Sequence, residues 1–364
     1  MTAVRQMASG TPRDDAPATP IYRQPIGYPQ AWRTTDFKSP ADYTIELTAE
    51  QLDDIAGAVA AIRRDGLTLD DLALEHFPLP TLRETIVRIR REIAEGLGFV
   101  LLRRLPVETY SKDEIGFIYW GIGTHLGRGL SQSVLGDRLG HVLDVSRTDP
   151  NARAYRNKQE LSPHTDLSDV VGLCCLRVAK SGGVSQYASA LTVHDEILKA
   201  RPDYLDRLYR GYTYHRRGEQ RPGDLPYTPH RVPVFSNVDG KVSARYVRSY
   251  LEAGMAEVGT PIDGLDREIL DFVEATSERP DMLLEFVLQP GEMVLFNNYT
   301  ILHARTAFED FEEEDRRRHL LRLWLESPWL RPTHPHLKLF DGEGIDVQAG
   351  KTPSYEWKHP VSRT

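Results

Sequence analysis

Cysteine is scarce in this chain: Cys174 and Cys175, adjacent to each other, are the only two among 364 residues. Neighbours on an extended strand point to opposite faces, so the two do not pair and no disulfide framework exists. A reducing, cytoplasmic setting is the expectation. Positive charge is not in excess either. Lys and Arg number 45 against 53 Asp and Glu, a net charge of −8, and the only basic tract is Arg316-Arg317-Arg318. Nucleic-acid surfaces need surplus cations to neutralise phosphates, so no nucleic-acid partner is expected. No apolar run approaches the roughly 20 residues that span a bilayer, which argues against a membrane role. Met1 to Pro20 is polar, lacks an apolar signal core and reads as a disordered tail. Composition does not decide self-association, and a homo-oligomer stays open.

What the chain does have is apolar content, 40% of its residues, enough for a sizeable core. No internal repeat or linker interrupts it, so residues 21–364 read as one domain. Ile21 to Pro40 has no periodicity and is expected to lie as an arm on the surface. Thr48-Ala49-Glu50-Gln51 is a capping box. The helix it opens, to about Arg64, carries Leu52, Ile55, Val59 and Ile62 on one face. A second helix is expected over Pro80–Gly96, a strand from Gly98 to Leu102, and a third helix capped by Ser111. Beyond these, short strand patterns dominate. Val170 to Val178 is apolar throughout, as a strand buried on both faces is. Further helices are expected over 193–200, 202–210 and 266–278. Gly211 to Val234 reads as a long loop, either a lid or a crossover. Helices gathered at the N-terminal side and many short strands indicate an α+β fold, with a double-sheet jelly roll at its core.

The chemistry begins at Leu161-Ser162-Pro163-His164-Thr165-Asp166. Residues two apart on a strand share a face, so His164 and Asp166 offer a nitrogen and an oxygen to one point. Twelve His and 53 acidic residues produce about two such His-x-acid matches by chance, so the motif alone carries little. A second match, His194-Asp195-Glu196, opens a helix, where its members do not share a face. His141 and Asp144 lie three apart, on opposite strand faces. The first motif has better company. Downstream come Gly182-Gly183-Val184-Ser185, then Asn297-Asn298 with His303 after a short strand, then Arg318-His319-Leu320-Leu321-Arg322. His164, Asp166 and His303 form a two-histidine, one-carboxylate set with open metal positions, which suits non-haem Fe(II). Alternation puts Arg318, Leu320 and Arg322 on one face, and a guanidinium fork suits a ligand carboxylate.

From Phe99 to Trp329 these segments resemble the taurine/2,4-D dioxygenase-like, or clavaminate synthase-like, Fe(II)/2-oxoglutarate oxygenases. The resemblance rests on His-Thr-Asp, Gly-Gly-x-Ser, Asn-Asn-x4-His with its Ala304-Arg305 tail, and Arg-x3-Arg. It implies a double-stranded β-helix core, Fe(II) on His164, Asp166 and His303, and 2-oxoglutarate and O2 as co-substrates. Arg318 would hold the distal carboxylate of 2-oxoglutarate, helped by Ser185 where relatives usually have Thr. Asn298 is implied as a support of the metal residues or a substrate contact. Arg322 stands where some relatives bind an anionic substrate group, although an internal ion pair would equally explain it. Tyr155, Arg156 and Gln159, on a polar loop just before the metal motif, are further substrate candidates. The implied reaction oxidises a C–H bond of a small, anionic molecule and releases succinate and CO2. Hydroxylation is the default outcome, with desaturation and cyclisation open. The competing reading is a jelly roll that binds a metal and a small acid without turnover.

Overall fold

The computed structural model describes residues 17–146, 156–340, 344–348 and 350. Two β-sheets frame it. The seven-stranded sheet runs β1 (Thr44–Glu46), β2 (Phe99–Arg103), β12 (Met293–Asn297), β6 (Val170–Arg177), β15 (His319–Glu326), β3 (Arg128–Gly129), with β4 (Leu139–Val142) also paired to β15. The four-stranded sheet runs β11 (Leu284–Phe286), β8 (Ser185–Ser189), β13 (Ile301–Arg305), β5 (Leu161–His164). Outside them, β7 (Ser181–Gly182) pairs with β14 (Phe308–Glu309), and β9 (Phe235–Val238) with β10 (Lys241–Ala244).

Strand alternation sorts the side chains into layers. In the large sheet Val100, Leu102, Cys174, Leu295, Leu321 and Leu323 face one way. There they pack under helices α1 (Ala49–Asp65), α2 (Arg83–Ala94) and α3 (Lys112–Thr124). Their neighbours Phe99, Leu101, Cys175, Phe296, Leu320 and Trp324 face the other way and meet Tyr187 and Ile301 of the small sheet. Cys174 and Cys175 thus lie on opposite faces, buried and free. Behind the small sheet, Ala188 and Leu302 join a third core with α4 (Ala190–Ala200), α5 (Leu205–Arg210), α6 (Arg248–Glu257) and α7 (Gly264–Ser277). The order is helices, large sheet, small sheet, helices.

Local signals set the helix ends. The Thr48 hydroxyl accepts from Gln51 N while the Gln51 side chain accepts from Thr48 N, a reciprocal cap. Ser111 and Glu114 do the same for α3.

Two expectations need correction. The arm over 21–40 is not merely superficial: Trp32 is fully buried between the sheets and donates its indole N–H to Leu97 O at 2.8 Å. An indole of that size contributes about 4–6 kcal/mol as an upper bound. The expected tail also ends early, since Ala18 N donates to Tyr209 O and the buried Thr19 hydroxyl accepts from Asn237 N. The rest of that tail, residues 1–16, lies outside the described residues.

Candidate active site

The site lies where the small sheet meets the inner face of the large one. β5 and β13 are antiparallel neighbours with His164 directly opposite His303, and the two imidazole rings sit 4.2 Å apart, centre to centre. Asp166 completes the group, its Oδ2 lying 3.8 Å from His303 Nε2. One ligand atom from each of the three lies within 4.8 Å of the others, the only such group of three or more His, Cys, Asp or Glu among the described residues.

The same-face argument places only part of this. β5 ends at His164, so Asp166 lies two residues past the strand. Asn298 fixes it instead. The Asn298 Oδ1 accepts from Asp166 N at 2.7 Å, and its Nδ2 donates to the carbonyls of Asp166 and Ser168, each at 2.7 Å. The asparagine therefore clamps the metal loop from beneath and acts on backbone. The carboxylate is aimed by β15: Trp324 Nε1 donates to Asp166 Oδ2 at 2.8 Å and Arg322 Nη1 at 3.3 Å. Arg322 is itself steadied by Gln132 Oε1 at 2.8 Å. Arg322 is thus the internal ion pair of its two expected roles, made to a candidate metal ligand.

Protonation states favour a divalent cation. Burial holds His303 down to about 3, with His164 adding to the effect, and burial lowers His164 too. His164 Nδ1 lies 2.8 Å from Ser162 O; that N–H donation leaves Nε2 as the lone-pair donor. Burial works to raise the Asp166 carboxyl. Arg322, the two imidazoles and the Trp324 indole outweigh it and keep the group ionised well below the usual carboxylate range. Two neutral nitrogens and one anionic oxygen suit Fe(II) and leave coordination positions open. The residues present fit the ion.

Arg318 precedes β15 and points to the same interior. It is 5% exposed, stands 5.2 Å from the Phe308 ring centre, and its backbone N–H donates to Asp310 Oδ1. Its rivals face outward: Arg316 pairs with Glu313, and Arg317 donates to the carbonyls of Phe311 and Glu312. Ser185, also buried, opens β8 beside the Gly182-Gly183 turn. That turn needs glycine. Both residues have positive φ, and a Cβ on Gly183 would lie 3.1 Å from Arg318 Nε.

A cavity of about 110 Å³ opens on His164 and Asp166. Residues 161–167 form one wall, and Arg217, Arg248, Tyr250, Glu274 and Arg322 are among the residues that form the others. Arg217 brings the 211–234 loop over the site. The loop is pinned by bridges Tyr212–Val232 and His215–Tyr227. Arg248 holds Glu252, Asp271 and Glu274 at 2.9, 2.6 and 2.5 Å. These residues were not found from sequence, since α6 and α7 carry no motif that points at a metal. Arg156 and Gln159 do not line the cavity: Arg156 O accepts from Val145 N, and Gln159 is exposed with its carbonyl taken by Arg305. Tyr155 lies outside the described residues.

Two histidines and one carboxylate on adjoining strands, with a buried arginine near by, define a class, the non-haem iron oxygenases. Within it the chain belongs to the taurine catabolism dioxygenase TauD, TfdA family, whose profile its residues 64–324 match. FR-33289 synthase of Streptomyces rubellomurinus (strain ATCC 31215) is 30% identical over 311 residues, 84% of this chain and 91% of the relative. Taurine hydroxylase-like protein SAT17 of Stachybotrys chartarum (strain CBS 109288 / IBT 7711) is 28% identical over 308 residues, 80% and 77% of the two chains. Among solved structures, asparagine oxygenase in complex with Fe(II), 2S,3S-3-hydroxyasparagine and succinate shares the fold. Its TM-score is 0.62 at 18% identity, covering 82% of this chain and 100% of that one. The chain is an Fe(II)- and 2-oxoglutarate-dependent oxygenase that uses O2 to oxidise a C–H bond.

Proposed function

We propose that this oxygenase hydroxylates a small anionic metabolite in the cavity above His164, Asp166 and His303. The two facing sheets are read as the halves of a double-stranded β-helix, a jelly roll within one domain, and the setting as cytoplasmic. His164 Nε2, His303 Nε2 and an Asp166 oxygen would hold Fe(II). Arg318 and Ser185 would take the distal carboxylate of 2-oxoglutarate. Bound Fe(II), 2-oxoglutarate and O2 supply the oxidant, with succinate and CO2 released.

The chain's own residues do the rest. Trp324 and Arg322 keep Asp166 charged and aimed, and Asn298 holds the loop that carries it. The substrate's anion is assigned to the cavity's cationic lining, where Arg217 stands in the wall across from residues 161–167. The 211–234 loop, through Arg217, screens the site from water.

One observation carries this reading: a buried arginine, Arg318, on the same interior as three convergent ligand atoms. The test is anaerobic titration with Fe(II) and 2-oxoglutarate, followed by succinate release under O2 with a panel of anionic and neutral small molecules. Coupled release with anionic compounds, lost in Arg217→Glu, supports the substrate class. Turnover of a neutral compound that Arg217→Glu leaves untouched refutes it.

A further inference from the structure

Arg305 has no role in the site described so far, yet it is built into it. It follows His303 by two residues on β13 and therefore shares its face. Across the ladder it sits opposite Ser185. It is 5% exposed. Its Nη2 donates to Asn157 O at 2.8 Å and to Gln159 O, while Nε and Nη1 are buried without any hydrogen-bond partner. Arg318 reaches the same place from the end of β15. Both guanidinium carbons stand against the Phe308 ring, at 4.8 Å and 5.2 Å from its centre.

Two buried cations on one ring oppose each other. Asp310 accepts from the Arg318 backbone N–H and leaves its other oxygen without a hydrogen bond, so it does not take up either guanidinium. Unpaired buried charge is strongly unfavourable, and a bound anion relieves it.

We propose that Arg305 is a second cationic anchor for the distal carboxylate of 2-oxoglutarate. Its open Nε and Nη1 take one carboxylate oxygen, while Arg318 and Ser185 take the other. This rests on the co-substrate reading above. Because Arg305 Nη2 also holds the carbonyls of Asn157 and Gln159, the same side chain ties the co-substrate to the loop before the metal motif.

The test is calorimetric titration of the anaerobic Fe(II) protein with 2-oxoglutarate and with 2-oxobutyrate, which lacks the distal carboxylate. Arg305→Gln should weaken 2-oxoglutarate about 10- to 100-fold, the range for losing a charge-assisted bond. It should leave 2-oxobutyrate within about twofold. Arg305→Lys, which keeps the charge and loses the fork, should fall between wild type and Arg305→Gln for 2-oxoglutarate. An equal loss for both acids would make Arg305 a structural support and overturn the proposal. So would wild-type affinity in Arg305→Gln, or a Lys variant weaker than the Gln variant. A wild-type chain that binds no 2-oxoglutarate overturns the co-substrate reading itself.

Discussion

Trp324 donates its indole N–H to Asp166 across 158 residues of sequence, at 2.8 Å. The bond joins the centre of β15 to a loop beyond β5 and lands on the same carboxylate oxygen that Arg322 approaches. A carboxylate held this way needs no metal to be pointed correctly. Trp324→Phe keeps most of the packing and removes one donor to a charged acceptor, worth about 1.5–3 kcal/mol. Fe(II) affinity should fall roughly 10- to 100-fold. Competition against a calibrated chelator measures it, and unchanged affinity would show that the indole only packs.

Removing a ligand is more severe. His164→Ala, Asp166→Ala and His303→Ala each take away one of three protein donors, so each should abolish stoichiometric iron and the absorption band formed anaerobically with 2-oxoglutarate. Metal analysis and the spectrum read both. A His303→Ala protein with full iron and full succinate release is incompatible with the assignment.

The three consecutive arginines give an internal control. Arg318→Ala should cost about 3–5 kcal/mol of 2-oxoglutarate binding if the carboxylate loses its buried partner, a rise of two to three decades in the half-saturating concentration. Arg317→Ala, at a half-buried side chain bonded to loop carbonyls, should change it by less than about twofold. The reverse ranking would transfer the role to Arg317.

Stability of the metal-free protein should depend on acid through His319. Burial first, then His141, Arg177 and Lys112, hold its imidazole down to about 3, while in the unfolded chain it titrates near 6.5. The folded value is depressed, so the contribution is complete above pH 6.5 and is lost progressively as pH falls toward 3. At pH 5 the loss is about 2 kcal/mol. Melting temperatures at pH 7.5 and 5 should therefore differ less in His319→Gln than in wild type. Equal differences would mean that His319 does not drive the acid response.

How far the sequence could be read depended on the range of the forces involved. The caps at Thr48 and Ser111 are decided within four residues and were visible as motifs. Arg318 was preferred to its neighbours by its place in the Arg-x3-Arg pattern, with alternation against Leu320 as local support, and of the three it is the buried one. Asp166 was found for a partly mistaken reason. The strand stops at His164, and what places the carboxylate is Asn298, 132 residues away, together with Trp324. Arg217, Arg248 and Glu274 were invisible because they reach the cavity only through packing behind the small sheet. The β9–β10 hairpin and α6 were missed as well. In Arg248–Glu257 the small residues Ala253, Gly254 and Ala256 dilute the apolar stripe, and tertiary contact supplies what propensity does not.

The Asn298 clamp has a thermodynamic corollary. Its three hydrogen bonds are made entirely within the protein, so the loop bearing the carboxylate is ordered without an ion to order it. A preorganised site of two imidazoles and a carboxylate has little means of choosing iron by shape. Intrinsic affinities rise from Mn(II) through Fe(II) to Cu(II), with Zn(II) also above Fe(II). Left to equilibrium in mixed metals, this chain fills with ions that bind well and do not turn over. Which ion it carries is set by supply, and the fraction carrying iron becomes a property of its surroundings.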